Sequence, residues 1–252
     1  MDVNYYKEYA LLERQHWWFK VRSRIISNLI SADINPSQNK QLNILNIGAA
    51  TGKSSEMLSE FGHVTSLEYD KDCCDYAQKN FNINIINGSI LELPFKDEEF
   101  DLVCAFDVIE HIENDLIGLN EMKRVCKKDG LITLTVPAFM FLWSTHDEVN
   151  HHYRRYTING LKKLVRKADL LSVKSTYYNT ILFAPIAIFR LLSKVMPKKL
   201  IRKGAGSDAT LHHSDSFVSG LLYRIFSLEL GLLKFLNFPF GVSIYMSLSK
   251  KK

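Results

Sequence analysis

A chain of 252 residues can bury a substantial core and fits one large domain, or one domain carrying an insertion. Its net charge of +5, with 46% hydrophobic and 23% charged residues, gives no electrostatic argument for nucleic acid, which is not an expected partner. No run reaches the roughly 18 to 20 apolar residues that cross a bilayer. Met1-Asp2-Val3-Asn4-Tyr5-Tyr6 lacks a basic region followed by an apolar core, so a cytoplasmic protein is expected. Cys73, Cys74, Cys104 and Cys126 show neither CxxC nor zinc-finger spacing, which favours reduced thiols.

Residues 3 to 30 read as helices rich in aromatics, and Asn35-Pro36-Ser37-Gln38-Asn39 breaks them with a loop. Strand-like and helix-like segments then alternate. Leu42–Ile47, His63–Tyr69, Ile83–Asn87, Phe100–Asp107 and Leu131–Val136 read as strands, with Asp72–Asn80 and Asp115–Lys127 as helices between them. Leu161–Ala168 reads as a further helix, Ser172–Tyr178 as a sixth strand and Val242–Leu248 as the last. This alternation predicts a doubly wound, mostly parallel seven-stranded α/β sheet, whose ligands bind beyond the carboxyl ends of the strands. The expected division is a helical cap over 1–40, a core over 41–180 and 241–252, and a helical insertion over 181–240.

The first strand ends in Asn46-Ile47-Gly48-Ala49-Ala50-Thr51-Gly52, a turn whose glycines allow backbone to approach a ligand closely. A dinucleotide fingerprint fails here, because its second and third glycines would be Ala50 and Lys53. A P-loop fails as well, since Ile47 stands where its first glycine belongs. The turn resembles motif I of the class I S-adenosylmethionine-dependent methyltransferases, with Asn46 at the acidic position and Ala50 at the middle glycine. Glu68 closes the second strand, as the family's ribose-binding carboxylate does. Gly88-Ser89-Ile90-Leu91-Glu92-Leu93-Pro94-Phe95 resembles its adenine-binding segment, with Ser89 replacing an Asp. Phe100 to Ile112, with Glu110-His111, resembles its fourth strand and exit. The resemblance implies a Rossmann-like fold and S-adenosylmethionine as cofactor. It implies cofactor contacts at Asn46, Gly48, Ala49, Gly52, Glu68, Ser89, Ile90 and the Phe106 carbonyl. Arg22, in the entry helix, is expected to reach the cofactor carboxylate.

Methyl transfer needs a protein base only when the acceptor carries a proton, as a hydroxyl does. Candidate groups follow the fourth and fifth strands. His111 admits three roles: base, orienting group, or a histidine in the pocket wall. The stretch from Trp143 to Thr157 holds His146, Asp147, His152, Arg154, Arg155 and Tyr156, too polar a set for core. It resembles a bacterial subgroup with Trp-Ser-x-His-Asp…His-x-Arg-Arg-Tyr at this place, as do His16-Trp17-Trp18-Phe19 and Phe238-Pro239-Phe240-Gly241. His111, His146, Asp147 and His152 are the expected catalytic groups, and Trp143, Arg154, Arg155 and Tyr156 the expected acceptor-binding ones. His146 and Asp147 could also join Glu110 and His111 around a metal. The sequence completes no divalent site, and none is expected. Trp17 and Trp18 are expected to form a water-excluding lid.

Within the insertion, apolar Ile181–Leu192 precedes the basic Lys194, Lys198, Lys199, Arg202 and Lys203. Three outcomes stay open for it: packing on the sheet domain, dimerisation, or contact with an anionic membrane surface on the inner face. The expected activity is methyl transfer to oxygen of a small-molecule, lipid-linked or glycan-linked acceptor. The rival is a non-catalytic protein that binds the cofactor.

Overall fold

A computed structural model describes residues 3–34, 41–193 and 217–251. The apolar runs form strands because both their faces are covered. β1 (Leu42–Ile47) and β4 (Phe100–Phe106) lie side by side at the middle of the sheet, each with at most one exposed position. β2 (Gly62–Glu68) and β3 (Ile85–Asn87) extend the sheet from β1; β5 (Cys126–Pro137) extends it from β4. The full order is β3-β2-β1-β4-β5-β7-β6, with β7 (Ser243–Lys250) antiparallel between β5 and β6 (Leu170–Tyr178). The chain leaves β1 in one direction and β4 in the other, so a topological switch opens between their carboxyl ends.

Strand boundaries differ from the expected ones where polar residues stay in the sheet. β5 begins at Cys126, which pairs with Phe100 before a register shift; Lys127 to Gly130, which read as helix end and turn, is strand around that irregularity. α5 accordingly stops at Val125 (Asp115–Val125). β3 is shorter than expected because α4 (Lys71–Phe81) ends on Asn82 in the left-handed conformation.

One face of the sheet is covered by α5 and α7 (Ile158–Lys167), through Leu119, Met122, Leu161 and Val165. The other takes α2 (Trp17–Asp33), α3 (Lys53–Leu58) and α9 (Phe217–Leu232). His16 caps α2, its Nδ1 accepting from the Trp18 amide at 3.3 Å. From the expected insertion, α8 (Phe183–Ser193) and α9 are described, while Lys194, Lys198, Lys199, Arg202, Lys203 and Gly204–Ser216 lie outside the described residues. So do residues 35–40, where the Asn35–Asn39 loop is expected. α9 packs along α2: Phe226 is fully buried, with its ring edge-on to Trp17 at 6.4 Å. Arg24 also donates to the Tyr223 hydroxyl at 2.7 Å. Trp17 therefore serves the α2–α9 seam.

Glu229 explains how an apolar helix tolerates a buried acid. Its carboxylate accepts from the amides of Asn179, Thr180 and Ile181 at 2.7 to 2.8 Å, satisfying the turn that leaves β6. Replacing it would orphan three backbone donors in apolar surroundings. We expect Glu229→Ala to lower unfolding free energy in urea by about 3 kcal/mol or more. A loss below about 1 kcal/mol would show that water replaces the carboxylate there.

Candidate active site

The turn after β1 is built on left-handed backbone: Gly48 has φ +70°, Ala50 +46° and Gly52 +89°. The amides of Gly48 and Ala49 turn back onto the Leu67 carbonyl at 2.8 and 3.0 Å, fastening the turn to β2. A Cβ on Gly48 would meet Val108 at 2.5 Å, so only glycine lets the exits of β1 and β4 approach this closely. Ala50 holds a conformation that costs a non-glycine residue about 1 kcal/mol. Its amide donates to Glu68 Oε2 at 2.9 Å, and the Asp70 amide donates to Oε1 at 3.1 Å. Each Glu68 oxygen keeps a further lone pair for a hydroxyl donor.

Other expected cofactor residues are placed differently. Asn46 is fully buried beneath the turn, where its Nδ2 donates to Ser54 and Ser55 at 2.8 Å. It braces the start of α3 and does not face the ligand side. Ser89 accepts from the Leu91 amide at 3.1 Å and shapes its own loop. Ile90 is buried in the core, close to the Cα of Gly118, where a Cβ would come within 3.3 Å of it. Phe106 closes β4 with 9% exposure.

α1 (Val3–Gln15) lies across this turn, a contact that no residue pattern announces. Arg14 donates to the Thr51 hydroxyl and carbonyl at 3.0 and 3.1 Å and to Glu56 at 2.8 Å. Its guanidinium also stacks 3.7 Å from the Phe81 ring. The Thr51 hydroxyl donates to Glu13 at 2.5 Å, and Tyr6 donates to Asp70 at 2.8 Å. The cap is thus tied to the exits of both β1 and β2. Arg22 is not left free for a cofactor carboxylate: its Nη2 donates to Asp107 at 2.7 Å and to Thr135 at 3.2 Å. Asp107, itself at φ +55°, pulls Arg22 into the exit of β4.

The acceptor side is organised by Asp147, fully buried in the short helix α6 (Thr145–Val149). It accepts from the Ser144 amide at 2.9 Å, Arg155 Nε at 2.8 Å and His152 Nδ1 at 2.8 Å. Burial alone would raise its pKa, but the His152 bond and the Arg155 charge hold it well below the usual carboxylate range. Perpendicular rings bring His111 within 4.5 Å of His152, centroid to centroid, and His146 stands 6.0 Å from His152. His111 keeps an open side to solvent. Protein crowds the rest of its ring, and this loss of water, with His152 beside it, holds its pKa below the usual imidazole range.

Three expected acceptor-binding residues are straps. Arg155 is 6% exposed and held by Asp147 and the Ala138 carbonyl. Arg154 pairs with Asp115 at 2.8 Å and donates to the Glu113 carbonyl, and the Tyr156 hydroxyl donates to Asp115. Arg154 and Tyr156 fasten the loop to the segment after β4, and both guanidiniums are already paired with carboxylates. Trp143 is half-buried after the turn Met140–Leu142. Glu110, beside His111, is fully buried with neither carboxylate oxygen bonded within the described protein. Burial, reinforced by Asp107, raises its pKa well above the carboxylate range.

Residues 45–134, spanning β1 through β5, match a family model described as a methyltransferase domain. The chain carries a class I S-adenosylmethionine-dependent methyltransferase domain. An uncharacterised protein of Methanocaldococcus jannaschii is 32% identical over 117 residues, covering 46% of this chain and 48% of that one. A demethylmenaquinone methyltransferase of Staphylococcus aureus is 25% identical over 121 residues, 42% of this chain and 50% of its own length. The chain thus spans at most about half the length of the curated relatives it matches first. Its fold is also that of a SAM-dependent methyltransferase from Thermotoga maritima, at TM-score 0.56 and 18% identity over 99% of this chain and 96% of that one. The methyltransferase turn suits the family's cofactor, S-adenosylmethionine. Glu68 offers acceptors to ribose hydroxyls, and the left-handed turn beside it leaves no side chain at Gly48.

The cap formed by α1 should respond to pH. Burial raises the Glu13 carboxyl to about 7, against the opposing pull of Thr51 and Arg14. A carboxyl whose folded pKa lies above its ordinary 4.5 stabilises the docked cap fully below that value, and the contribution is lost as pH rises through about 7. Amide exchange over residues 3–15, corrected for intrinsic rates, should show protection falling between about pH 5 and pH 8. Glu13→Gln should flatten the profile; an unchanged profile in that variant would exclude Glu13 as the cause.

Proposed function

We propose that this chain transfers a methyl group from S-adenosylmethionine to an oxygen of a small, lipid-linked or glycan-linked acceptor. The observation that carries the reading is the His152–Asp147 pair, set beside His111 beyond the exits of β4 and β5. When bound, the cofactor supplies an electrophilic methyl carbon on a sulfonium, which leaves as a neutral thioether when the acceptor attacks. Asp147 fixes the proton of His152 on Nδ1, so the Nε2 lone pair faces away from the carboxylate. That nitrogen can take the proton that an acceptor hydroxyl must lose. Asp147 stabilises the resulting imidazolium, while Arg155 and the Ser144 amide keep the carboxylate from turning. A simple cofactor-binding protein would have no use for such an oriented histidine.

Calorimetric titration with S-adenosylmethionine and with its demethylated product tests the donor half. Both should bind, and Glu68→Gln should weaken binding about tenfold or more, because one charged acceptor is lost. Asp147→Asn should leave that affinity close to wild type while lowering kcat at least about a hundredfold on any hydroxyl acceptor. Binding of neither ligand would overturn the reading.

The acceptor we favour is one presented at a membrane surface. α8 and α9 expose Ile188, Phe189, Leu192 and Phe217, the last 88% exposed, and the sequence joining these helices carries Lys194, Lys198, Lys199, Arg202 and Lys203. Apolar side chains beside a basic segment match the chemistry of an anionic interface. Among the described residues no helix is long and apolar enough to cross a membrane. Co-sedimentation with phosphatidylglycerol-containing vesicles should retain the wild-type chain and lose it in about 0.5 M salt. Equal recovery in the supernatant with and without vesicles would remove the lipid argument.

A further inference from the structure

Among the described residues, Glu110 is a fully buried carboxylate on the acceptor side with no hydrogen bond to either oxygen, whereas Asp147, equally buried, has three donors. A buried carboxyl without partners costs several kcal/mol and calls for a partner that the chain itself does not supply. Two imidazoles stand beside it. One ligand atom each from Glu110, His111 and His152 can be chosen so that all three lie within 4.8 Å of one another.

We propose that Glu110, His111 and His152 hold a divalent transition-metal ion. Two nitrogens and one carboxylate oxygen suit Zn²⁺, Mn²⁺, Fe²⁺ or Co²⁺ better than Mg²⁺ or Ca²⁺, which prefer oxygen alone. Both histidines are prepared for the task. His152 gives its Nδ1 hydrogen to Asp147, which leaves the Nε2 lone pair for a metal, and Arg155 locks that carboxylate in place. His111 sets its ring perpendicular to that of His152, the centroids 4.5 Å apart. The backbone holds the three together as well: Glu110 and His111 share one tight turn, and the Tyr153 amide, next to His152, donates to the Glu110 carbonyl at 2.8 Å. A cation about 2.1 Å from each ligand would draw the donor atoms to roughly 3 to 3.5 Å, a contraction that side-chain rotation can supply.

Three protein ligands leave coordination positions open, as a catalytic site requires. The role of the ion rests on the methyl transfer proposed above; its existence does not. Beside a dication an acceptor hydroxyl becomes more acidic, so its proton passes to solvent before its oxygen attacks the methyl carbon. His152 would then act as a ligand and not as the base.

Tag-free, full-length protein, stripped with a chelator and dialysed, tests the site through Co²⁺ titration followed by visible absorption and through Zn²⁺ calorimetry. One ion per chain is expected, with Co²⁺ d–d bands. His152→Ala and His111→Ala should each weaken Zn²⁺ binding about a hundredfold, and Asp147→Asn by about tenfold to a hundredfold. His63→Ala, on the exposed face of β2, should bind like wild type. Because Glu110→Gln perturbs the interior and can fail to fold, the partly exposed His111 carries the test if its variant melts like wild type. Absence of stoichiometric binding, or equal affinity in wild type and His111→Ala, would overturn the site. S-adenosylmethionine titration on the same samples separates the two claims. Cofactor binding without metal sinks this site alone, and metal binding without cofactor sinks the methyltransferase reading while the site stands.

Discussion

Parallel strands impose one constraint from which the rest of this molecule follows: all their carboxyl ends leave the sheet at the same edge. β1, β2, β4 and β5 therefore deliver Gly48, Glu68, Asp107 and the loop after Pro137 to one surface. At that edge, backbone and side chains must satisfy one another or a ligand. The turn after β1 meets the demand with left-handed residues whose amides fold back onto Leu67 and Glu68. Asp107 meets it by accepting from Arg22 and Thr135.

Polar burial on the acceptor side is uneven, and the unevenness is informative. Arg154, Arg155 and Tyr156 look from sequence like a row of ligand-binding groups, yet each is bonded to Asp115, Asp147 or a carbonyl. A buried guanidinium needs such partners, because an unpaired one would cost more than the fold can spare. The loop therefore uses its charges to hold itself against β4's exit. Beside them remains a smaller set, His152, His111 and the buried carboxyl of Glu110, whose oxygens have no hydrogen bond among the described residues.

Legibility followed the range of the interactions. The strands and their alternation with helices could be read from residues 42 to 137, because hydrophobic runs and glycine turns are local signals, whereas the strand order is a long-range property. Glu68 stood out for the same reason, at the end of its strand. The side-chain orientation of Asn46 could not be read, since only the packing of Ser54 and Ser55 turns it inward. Nothing in the sequence of the helix that carries Arg22 hints that Asp107, 85 residues away, claims it. Glu13 and Arg14 carry no motif at all. Their contact with Thr51 exists only once α1 is folded across the sheet edge.

The long-range contacts also link elements that the sequence suggests are separate. α9, from the insertion, packs along α2, and Glu229 on α9 fastens the turn that leaves β6. α2 in turn carries Arg22 into the exit of β4, one turn of chain from Glu110. A continuous path of packed helix, ion pair and backbone thus joins the exposed apolar helices to the acceptor side. The apolar helices and the exit of β4 are therefore joined by packed rings, one ion pair and backbone, although residues far apart in the chain supply them.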